Sequence, residues 1–280
     1  MEIKEILLRH GFRFKKNLGQ NFLTDPALLA AIVRDGGVCP GDTVVEIGTG
    51  AGTLTRAIAE SGARVVTFDV DDSLTPVWAE TLAGLDNVTT VIGDVLKMSD
   101  EEVKAKVGTD SFRVVANIPY YITTPLMMRW IESGLDVRSI TVTIQEEVAR
   151  RLVAEVGSPD YGAITLAVRL WGRARITRKV PRTMFRPVPN VDSAVVTVER
   201  DDSRYIVKDK AFLSKLMRAG FAMRRKTLVN NFSVALGRGK EEIRTVLEEA
   251  GFDPNIRGEA LSVEDYIALA DRFRSEQGNV

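Results

Sequence analysis

The sequence predicts a doubly wound α/β sheet followed by a small all-helical domain. Between residues 42 and 145, short runs of β-branched residues alternate with segments of helical spacing. This alternation is typical of βαβ units and of a mostly parallel sheet. A glycine-rich turn follows the first run, as in sheets that bind ligands at the carboxyl ends of their strands. After about residue 200 the strand-like runs give way to three segments of helical spacing.

The elements of the sheet can be justified in order. Asp25 and Pro26 suit the cap and first turn of a helix that ends at Gly36 and Gly37. Strands are then predicted at residues 42–47, 63–70, 88–94, 112–118 and 139–145. Helices are predicted between them at residues 53–62, 73–82 and 124–134, with a charged helical stretch before the fourth strand. Pro76 is unexpected inside the second of these helices.

Three parts follow from this pattern. Residues 1–24 are expected to be a basic, irregular N-terminal arm, residues 25–200 the α/β domain and residues 201–280 the helical domain. The last helix should begin at a capping box formed by Ser262 and Asp265.

Composition excludes several classes of function. No window approaches the roughly 20 apolar residues of a membrane span, and the N-terminus lacks the pattern of a secretory signal, so a cytoplasmic location is the default expectation. Cys39 is the single cysteine and His10 the single histidine. We therefore expect no intramolecular disulfide, no metal site and no histidine-based nucleophilic centre.

The net charge of zero conceals a strong segregation of charge. Residues 36–110 carry 5 basic and 13 acidic side chains, whereas residues 169–238 carry 17 basic and 5 acidic ones. Residues 169–186 include seven basic side chains and no acidic one, and residues 215–226 are also free of acids. This distribution indicates a surface for a polyanion such as nucleic acid, although an Arg-rich surface can also be merely solvated.

The glycine-rich turn predicts a cofactor site. Gly48, Gly50 and Gly52 follow the first strand, whereas a dinucleotide fingerprint would require glycine at Thr53. Glu46 precedes the turn, and its negative charge should disfavour a pyrophosphate and favour a cationic ligand. S-adenosylmethionine is such a ligand, and it is the cofactor that the resemblance described below implies.

Two acids at the ends of neighbouring strands extend this site. Asp69 closes the second strand, where a carboxylate can accept hydrogen bonds from ribose hydroxyls. Asp94 closes the third, where it could accept from an adenine amino group. Each residue alone could equally be a cap or a turn residue.

Residues 116–121, ANIPYY, form the candidate reacting site. Asn117 ends the fourth strand, and Pro119 lacks an amide donor and holds the backbone extended, so carbonyl groups can point outward. The Asn side chain and such a carbonyl could accept both hydrogens of an exocyclic amine. Tyr120 offers a face on which a base can stack. Tyr121 has no evident role beyond packing.

These residues resemble the fourth motif of the amino methyltransferases that act on nucleic acid. Other segments narrow the resemblance to the ribosomal RNA adenine N6,N6-dimethyltransferases of the KsgA type, and they cover nearly the whole chain in order. They are residues 18–23 (LGQNFL), 145–149 (QEEVA), 160–162 (DYG), 185–193 (FRPVPNVDS) and 224–228 (RRKTL).

The resemblance implies a Rossmann-like class I methyltransferase that methylates two adjacent adenosines near the 3′ end of small-subunit ribosomal RNA, in small-subunit biogenesis. By the same resemblance Asn117, Pro119 and Tyr120 are the catalytic positions. The implied cofactor-binding residues are Asn21, Leu23, Gly48, Asp69, Asp94 and Asn117. The family usually has Glu at position 69, so the shorter Asp69 could make a longer or water-mediated ribose contact, or Asp71 could replace it.

RNA contacts are expected from the basic regions, and the protein is expected to act as a monomer. Phe185 could stack on the target base or belong to the core. The expected RNA-binding residues are Arg13, Lys15, Lys16, Phe185, Arg186, Arg224, Arg225 and Lys226.

Three alternatives stay open on sequence alone. A large-subunit adenine methylase of the macrolide-resistance type shares the NIPY element. A ribosome-assembly or nucleic-acid-binding factor could carry methylation as a secondary activity. A nicotinamide-dependent dehydrogenase is the third and fits the glycine spacing worst.

Overall fold

The computed structural model describes residues 3–15 and 18–277, which form two compact units. The first comprises the described residues up to Ala149 together with Ala174–Arg200, and the second comprises Arg150–Arg173 and the described residues from Asp201 onward. The sequence pattern predicts residues 150–173 as part of the α/β domain. The helix in this segment, α8 (Ala163–Trp171), instead contributes Leu166 to the apolar core of the helical unit.

The strands are β1 (Phe22–Leu23), β2 (Thr43–Ile47), β3 (Arg64–Asp69), β4 (Val88–Ile92), β5 (Ser111–Asn117), β6 (Asp136–Gln145), β7 (Gly172–Val180), β8 (Phe185–Arg186) and β9 (Ser193–Arg200). The helices are α1 (Ile3–Arg9), α2 (Pro26–Asp35), α3 (Thr53–Glu60), α4 (Thr75–Thr81), α5 (Asp100–Val107), α6 (Thr123–Ile131), α7 (Glu146–Val153), α8 (Ala163–Trp171), α9 (Lys210–Gly220), α10 (Leu228–Leu236), α11 (Lys240–Glu249) and α12 (Val263–Gln277).

The main sheet has seven strands in the order β4-β3-β2-β5-β6-β9-β7. Strands β2 to β6 pair in parallel, and β9 runs antiparallel to β6. The chain builds outward from β2 to β4 and returns to β5 on the other side, so β2 and β5 flank the switch point where open α/β sheets bind ligands. The predicted α/β class and mostly parallel sheet are confirmed.

Local signals at the helix ends act as predicted. Asp25 caps α2 by accepting the Leu28 amide at 2.7 Å, and Pro26 occupies the first turn. Pro76 lies in the first turn of α4. Amides in the first turn of a helix have no acceptor within the helix, so the lack of an amide hydrogen in proline costs no hydrogen bond there. The unexpected proline is therefore compatible with the helix.

The N-terminal arm is not irregular as predicted, because its first described residues form α1. This helix buries one apolar side against α4, which supplies the tertiary packing that so short a helix needs. The residues in this cluster include Ile3, Ile6, Leu7, Leu74, Val77 and Trp78. Sequence reasoning missed it because seven residues give too little periodicity.

The second unit has its own apolar core, formed by α8 to α12. Tyr161 donates its hydroxyl to the Leu261 carbonyl at 2.9 Å inside it. The predicted capping box is present, since the Ser262 amide meets Asp265 Oδ2 at 2.8 Å and the Asp265 amide meets Ser262 Oγ at 3.1 Å. No helix within the described ranges is long and apolar enough to cross a membrane.

Candidate active site

A cavity of about 590 Å³ opens at the carboxyl ends of β2, β3, β4 and β5. Residues 18–23 of the N-terminal segment form one of its walls, and the segments that follow the four strands form the others. The size lies within the range of small-molecule sites. The predicted crevice at the strand ends is therefore present in the first unit.

The glycine turn after β2 requires glycine for its backbone conformation. Gly48, Gly50 and Gly52 have φ values of 81°, 52° and 80°. A Cβ at Gly50 would lie 3.0 Å from the Phe22 ring. The indole of Trp78 donates to the Gly50 carbonyl at 2.8 Å, which fixes the turn from α4.

Glu46 does not supply the negative charge that the sequence suggested. Its side chain is fully buried and does not line the cavity. Burial raises the pKa of Glu46 to about 8, although Thr55 Oγ1 donates to Oε2 at 2.6 Å. The residue is therefore mainly protonated at neutral pH and joins β2 to α3 through its bond with Thr55.

Asp69 lines the cavity at the end of β3, as predicted. Its Oδ2 accepts the Gly50 amide and its Oδ1 the Asp71 amide, both at 2.9 Å. Burial raises the pKa of Asp69 despite these two donors. The short side chain thus bonds the turn directly, with lone pairs left for ribose hydroxyls.

Asp71 is not available to replace Asp69 in the site. Its side chain is fully buried and accepts hydrogen bonds from Lys15, Gln20 and Ser73. It is absent from the cavity lining. The suggestion that Asp71 takes over the ribose contact is therefore wrong.

Asp94 lines the cavity two residues beyond β4. Its Oδ1 accepts the Leu96 amide at 3.1 Å and caps a short 3-10 turn, so the cap alternative also holds. Oδ2 lies 3.5 Å from the exposed ammonium of Lys97. The half-exposed Val70 and Ile92 also line the cavity and give it apolar surface.

Asn117 ends β5 and meets the N-terminal segment. Its Nδ2 donates to the Asn21 carbonyl at 2.8 Å, while the Asn21 side chain donates to the Gly19 carbonyl. The Asn117 carbonyl would lie 3.7 Å from a Cβ at Gly48. The structure thus brings Asn21, Gly48 and Asn117 together at one edge of the cavity, as the sequence analysis expected.

Tyr120 is held by a residue to which sequence reasoning assigned no role. Its hydroxyl lies 2.8 Å from the hydroxyl of the buried Ser193 on β9. Its place in the segment FRPVPNVDS was the only sequence signal that pointed to Ser193.

The neighbours of Tyr120 also lie at the cavity. The Pro119 carbonyl accepts the Ile122 amide at 3.1 Å. Tyr121 is 60% exposed and borders the cavity beside Gly19.

Two predicted contact residues are core residues. Leu23 and Phe185 pair across the two-stranded sheet β1-β8 and are 2% and 1% exposed. Leu23 still borders the cavity, and its carbonyl accepts the Thr53 hydroxyl at 2.7 Å. Phe185 also borders the cavity, but at 1% exposure it follows the core alternative and offers no exposed stacking surface for RNA.

The expected RNA contacts of the first unit differ in availability. Arg13 is exposed, whereas the ammonium of Lys15 lies 2.5 Å from Asp71. Arg186 is exposed and folds its guanidinium onto the carbonyls of Thr183 and Phe185. Lys16 lies outside the described residues.

In the second unit, Arg224, Arg225 and Lys226 are exposed side by side after α9. Lys215 and Arg218, one helical turn apart on α9, are also exposed. These side chains give the helical unit a basic surface, which the charge segregation predicted.

The residues of the cavity fit S-adenosylmethionine. Gly48 and Gly50 bring the backbone to the cavity, two carboxylates stand at neighbouring strand ends, and the apolar side chains of Val70 and Ile92 line the same cavity. In the part of the chain that the structure describes, no cluster of His, Cys, Asp or Glu could hold a metal ion. Fold and site together define a class I, S-adenosylmethionine-dependent methyltransferase.

Comparison with known proteins gives the family. The model of the ribosomal RNA adenine dimethylase family matches residues 11–274. The chain belongs to this family, which confirms the predicted resemblance, enzyme class and cofactor.

Similar proteins agree over the full length. The chain is 45% identical to the ribosomal RNA small subunit methyltransferase A of Enterococcus faecalis, over 98% of this chain and 95% of that protein. It is 43% identical to the protein of the same name from Streptococcus sanguinis, over 98% and 96%. A dimethyladenosine transferase from Plasmodium falciparum has a similar structure, with a TM-score of 0.76, 26% identity and coverage of 91% and 98%. The 23S rRNA methyltransferase ErmE has a TM-score of 0.66, 25% identity and coverage of 90% and 99%.

Proposed function

We propose that the protein transfers methyl groups from S-adenosylmethionine to N6 of two adjacent adenosines near the 3′ end of small-subunit ribosomal RNA, in small-subunit biogenesis. Full-length identity of 43–45% to small-subunit methyltransferases supports this substrate over that of ErmE, at 25%. A ribosomal RNA substrate also supports action in the cytoplasm. We further propose that the protein acts as a monomer.

The arrangement of Asn117 carries the proposal. Its Nδ2 is committed to the Asn21 carbonyl at 2.8 Å, so Oδ1 is the atom left to accept a hydrogen from substrate. Because the Pro119 carbonyl accepts the Ile122 amide, we assign the second acceptor to the preceding carbonyl, that of Ile118. Two acceptors in these positions suit an exocyclic amine that has two hydrogens.

These acceptors act on the geometry of the amine. The lone pair of adenine N6 is delocalised into the ring, so the nitrogen is a poor nucleophile. Hydrogen bonds to both of its hydrogens favour a tetrahedral nitrogen whose lone pair is localised and aimed. When bound, S-adenosylmethionine supplies an electrophilic methyl group. After transfer, the proton of the cationic amine can leave to water, so the site requires no strong base.

Tyr120 is proposed to stack on the target adenine, since its ring is fixed by Ser193 and borders the cavity. Asp69 and Asp94 are proposed to accept from the ribose and adenine of the cofactor. Arg224, Arg225 and Lys226, which are exposed side by side, are proposed to bind RNA phosphates, and this basic surface supports the assignment of residues 201–280 to RNA binding.

Methyl incorporation into small subunits that lack the modification tests this function. The wild-type protein should incorporate label, and primer extension should place it at two adjacent adenosines near the 3′ end of the small-subunit RNA. Label in large-subunit RNA would replace the proposal with the ErmE type of activity, and RNA binding without label would favour an assembly factor.

Replacement of Asn117 tests the site itself. Asn117→Ala should reduce methyl transfer by at least about a hundredfold, because it removes an acceptor aimed at the reacting amine. Binding of S-adenosylhomocysteine, measured by calorimetry, should weaken by no more than about tenfold, since the change also removes the bond from Asn117 Nδ2 to the Asn21 carbonyl. Near-normal turnover in this variant would overturn the assignment of Asn117.

A further inference from the structure

Asp71 is a buried carboxylate that the proposed chemistry does not use. It follows β3 by two residues, its side chain is fully buried, and it does not border the cavity. A buried carboxylate is costly unless donors compensate it. The identity of those donors therefore indicates what the residue does.

The main donors to Asp71 come from the N-terminal segment. Lys15 Nζ donates to Oδ1 at 2.5 Å, and Gln20 Nε2 donates to Oδ2 at 2.7 Å. The Gln20 Oε1 accepts the Lys15 amide at 2.8 Å, so the two donors are also tied to each other. Burial alone would raise the pKa of Asp71, but hydrogen bonds from Lys15, Ser73 and Gln20 outweigh it and lower the pKa. The carboxylate is thus charged at neutral pH.

The residues between and beyond these donors form a wall of the cavity. We call residues 18–23 the N-terminal wall. Gln20, within the wall, and Lys15, which precedes it, bond Asp71, and the Asn21 carbonyl accepts from Asn117 Nδ2. Two polar anchors, one after β3 and one at the end of β5, therefore define the course of this short segment.

 The same carboxylate is linked to the cofactor side of the cavity. The Asp71 amide donates to Asp69 Oδ1, and Asp69 Oδ2 accepts the Gly50 amide, both at 2.9 Å. One short stretch of chain therefore joins the N-terminal wall, the proposed ribose acceptor and the glycine turn. A substitution of Asp71 should therefore alter the cavity wall through these bonds, although Asp71 itself contacts no ligand.

We propose that Asp71 is a positioning residue for cofactor binding, which holds the N-terminal wall against the cavity through Lys15 and Gln20. The proposal rests on the assignment of this cavity to S-adenosylmethionine. The simpler alternative is a local role, because Asp71 also accepts the Ser73 amide at 3.2 Å and caps the short turn that follows. The two roles differ in whether Lys15 matters, since Lys15 is not needed for the cap.

The test compares Asp71→Asn, Lys15→Met and the double variant by calorimetry with S-adenosylhomocysteine in the absence of RNA. Each single variant should weaken binding about tenfold, which corresponds to about 1.4 kcal/mol. The double variant should be no weaker than the weaker single variant, because both changes remove the same interaction. Asp72→Asn is the matched control, since Asp72 is exposed and adjacent, and it should bind like wild type.

Two further measurements separate positioning from general destabilisation. The KM for S-adenosylmethionine should rise about tenfold in Asp71→Asn, while kcat at saturating cofactor should change less than about threefold, because bound ligand restores the wall. Trypsin should cleave between residues 13 and 18 faster in Asp71→Asn than in Asp72→Asn, and S-adenosylhomocysteine should slow that cleavage.

Three results would overturn the proposal: wild-type affinity in Lys15→Met, losses in the two single variants that multiply in the double variant, or a fall in kcat with KM unchanged. Failure of this proposal and failure of the proposed function can be told apart. Normal methylation of small subunits with wild-type affinity in both single variants would reject the positioning role alone. Absence of methyl transfer by the wild-type protein would reject the function without bearing on the binding comparison.

Discussion

The protonation of Glu46 gives a quantitative prediction about stability. The side chain is fully buried, and burial raises its pKa from 4.5 to about 8. Below pH 4.5 both the folded and the unfolded chain carry the proton. Between pH 4.5 and 8 the folded chain keeps it and the unfolded chain releases it, so the free energy of unfolding falls as pH rises. Above pH 8 this dependence ends.

The size of the effect follows from linkage. One proton of difference between the two states changes the free energy of unfolding by about 1.4 kcal/mol per pH unit. Between pH 6 and pH 7.5 the contribution of Glu46 is therefore about 2 kcal/mol. Glu46→Gln removes the titration and keeps nearly the shape of the neutral acid, with an oxygen that can still accept from Thr55 Oγ1.

The assay is urea unfolding followed by tryptophan fluorescence, with both proteins measured at several values between pH 6 and pH 7.5. Because all other groups are shared, the difference between the two proteins isolates Glu46. The stability of Glu46→Gln relative to wild type should increase by about 2 kcal/mol across this range. Glu101→Gln, the same change at an exposed position, should run parallel to wild type.

A difference between Glu46→Gln and wild type that stays constant with pH would refute the reasoning, since it would mean that Glu46 has the same protonation in the folded and unfolded chain. A charged Glu46 would give this constant difference, because its pKa in the folded chain would lie near or below 4.5 and both states would carry the charge throughout the range. That result would restore the charge that the sequence analysis placed beside the cofactor.

Two other predictions concern the substrate. Ser193→Ala and Tyr120→Phe remove the same 2.8 Å hydrogen bond, so each should raise the KM for RNA, measured by steady-state kinetics, by about threefold. The KM of the double variant should be no higher than that of the single variants. Increases in KM that multiply in the double variant would contradict a shared role. Arg225→Ala and Lys226→Ala should each weaken binding of small-subunit RNA and lower the slope of log Kd against log salt by about 0.7 to 0.9 in a fluorescence titration. Lys240→Ala, an exposed control in the same unit, should keep the wild-type slope, and unchanged slopes in all three variants would argue against phosphate contacts at 225 and 226.

The features that sequence reasoning predicted are those with local causes. Strand ends, helix caps and the glycine turn each depend on a few neighbouring residues, so Asp25, Gly50 and Asn117 lie where the patterns placed them. Parallel strands then bring their carboxyl ends to one edge, which makes a cavity there predictable from order alone.

The features that it missed depend on contacts between distant parts of the chain. Lys15 reads as one more basic residue of an RNA-binding arm, and only the fold brings it to Asp71, 56 positions away. Phe185 reads as an aromatic residue beside arginine, and only pairing of β8 with β1 shows that it belongs to the core. Charge and hydrophobicity in sequence indicate what a residue can do, whereas burial decides which of these roles it has.

The three acids at or just beyond the carboxyl ends of β2 and β3 illustrate this point. In sequence Glu46, Asp69 and Asp71 are equivalent carboxylates near strand ends. In the fold, burial keeps the first neutral, the second borders the cavity with backbone amides as donors, and the third stays charged because Lys15 and Gln20 reach it. One negative charge at the cavity edge suits a cationic ligand, but three within a small volume would repel one another. Neutralising one acid by burial and pairing another with a lysine leaves Asp69 as the carboxylate of the three that faces the ligand.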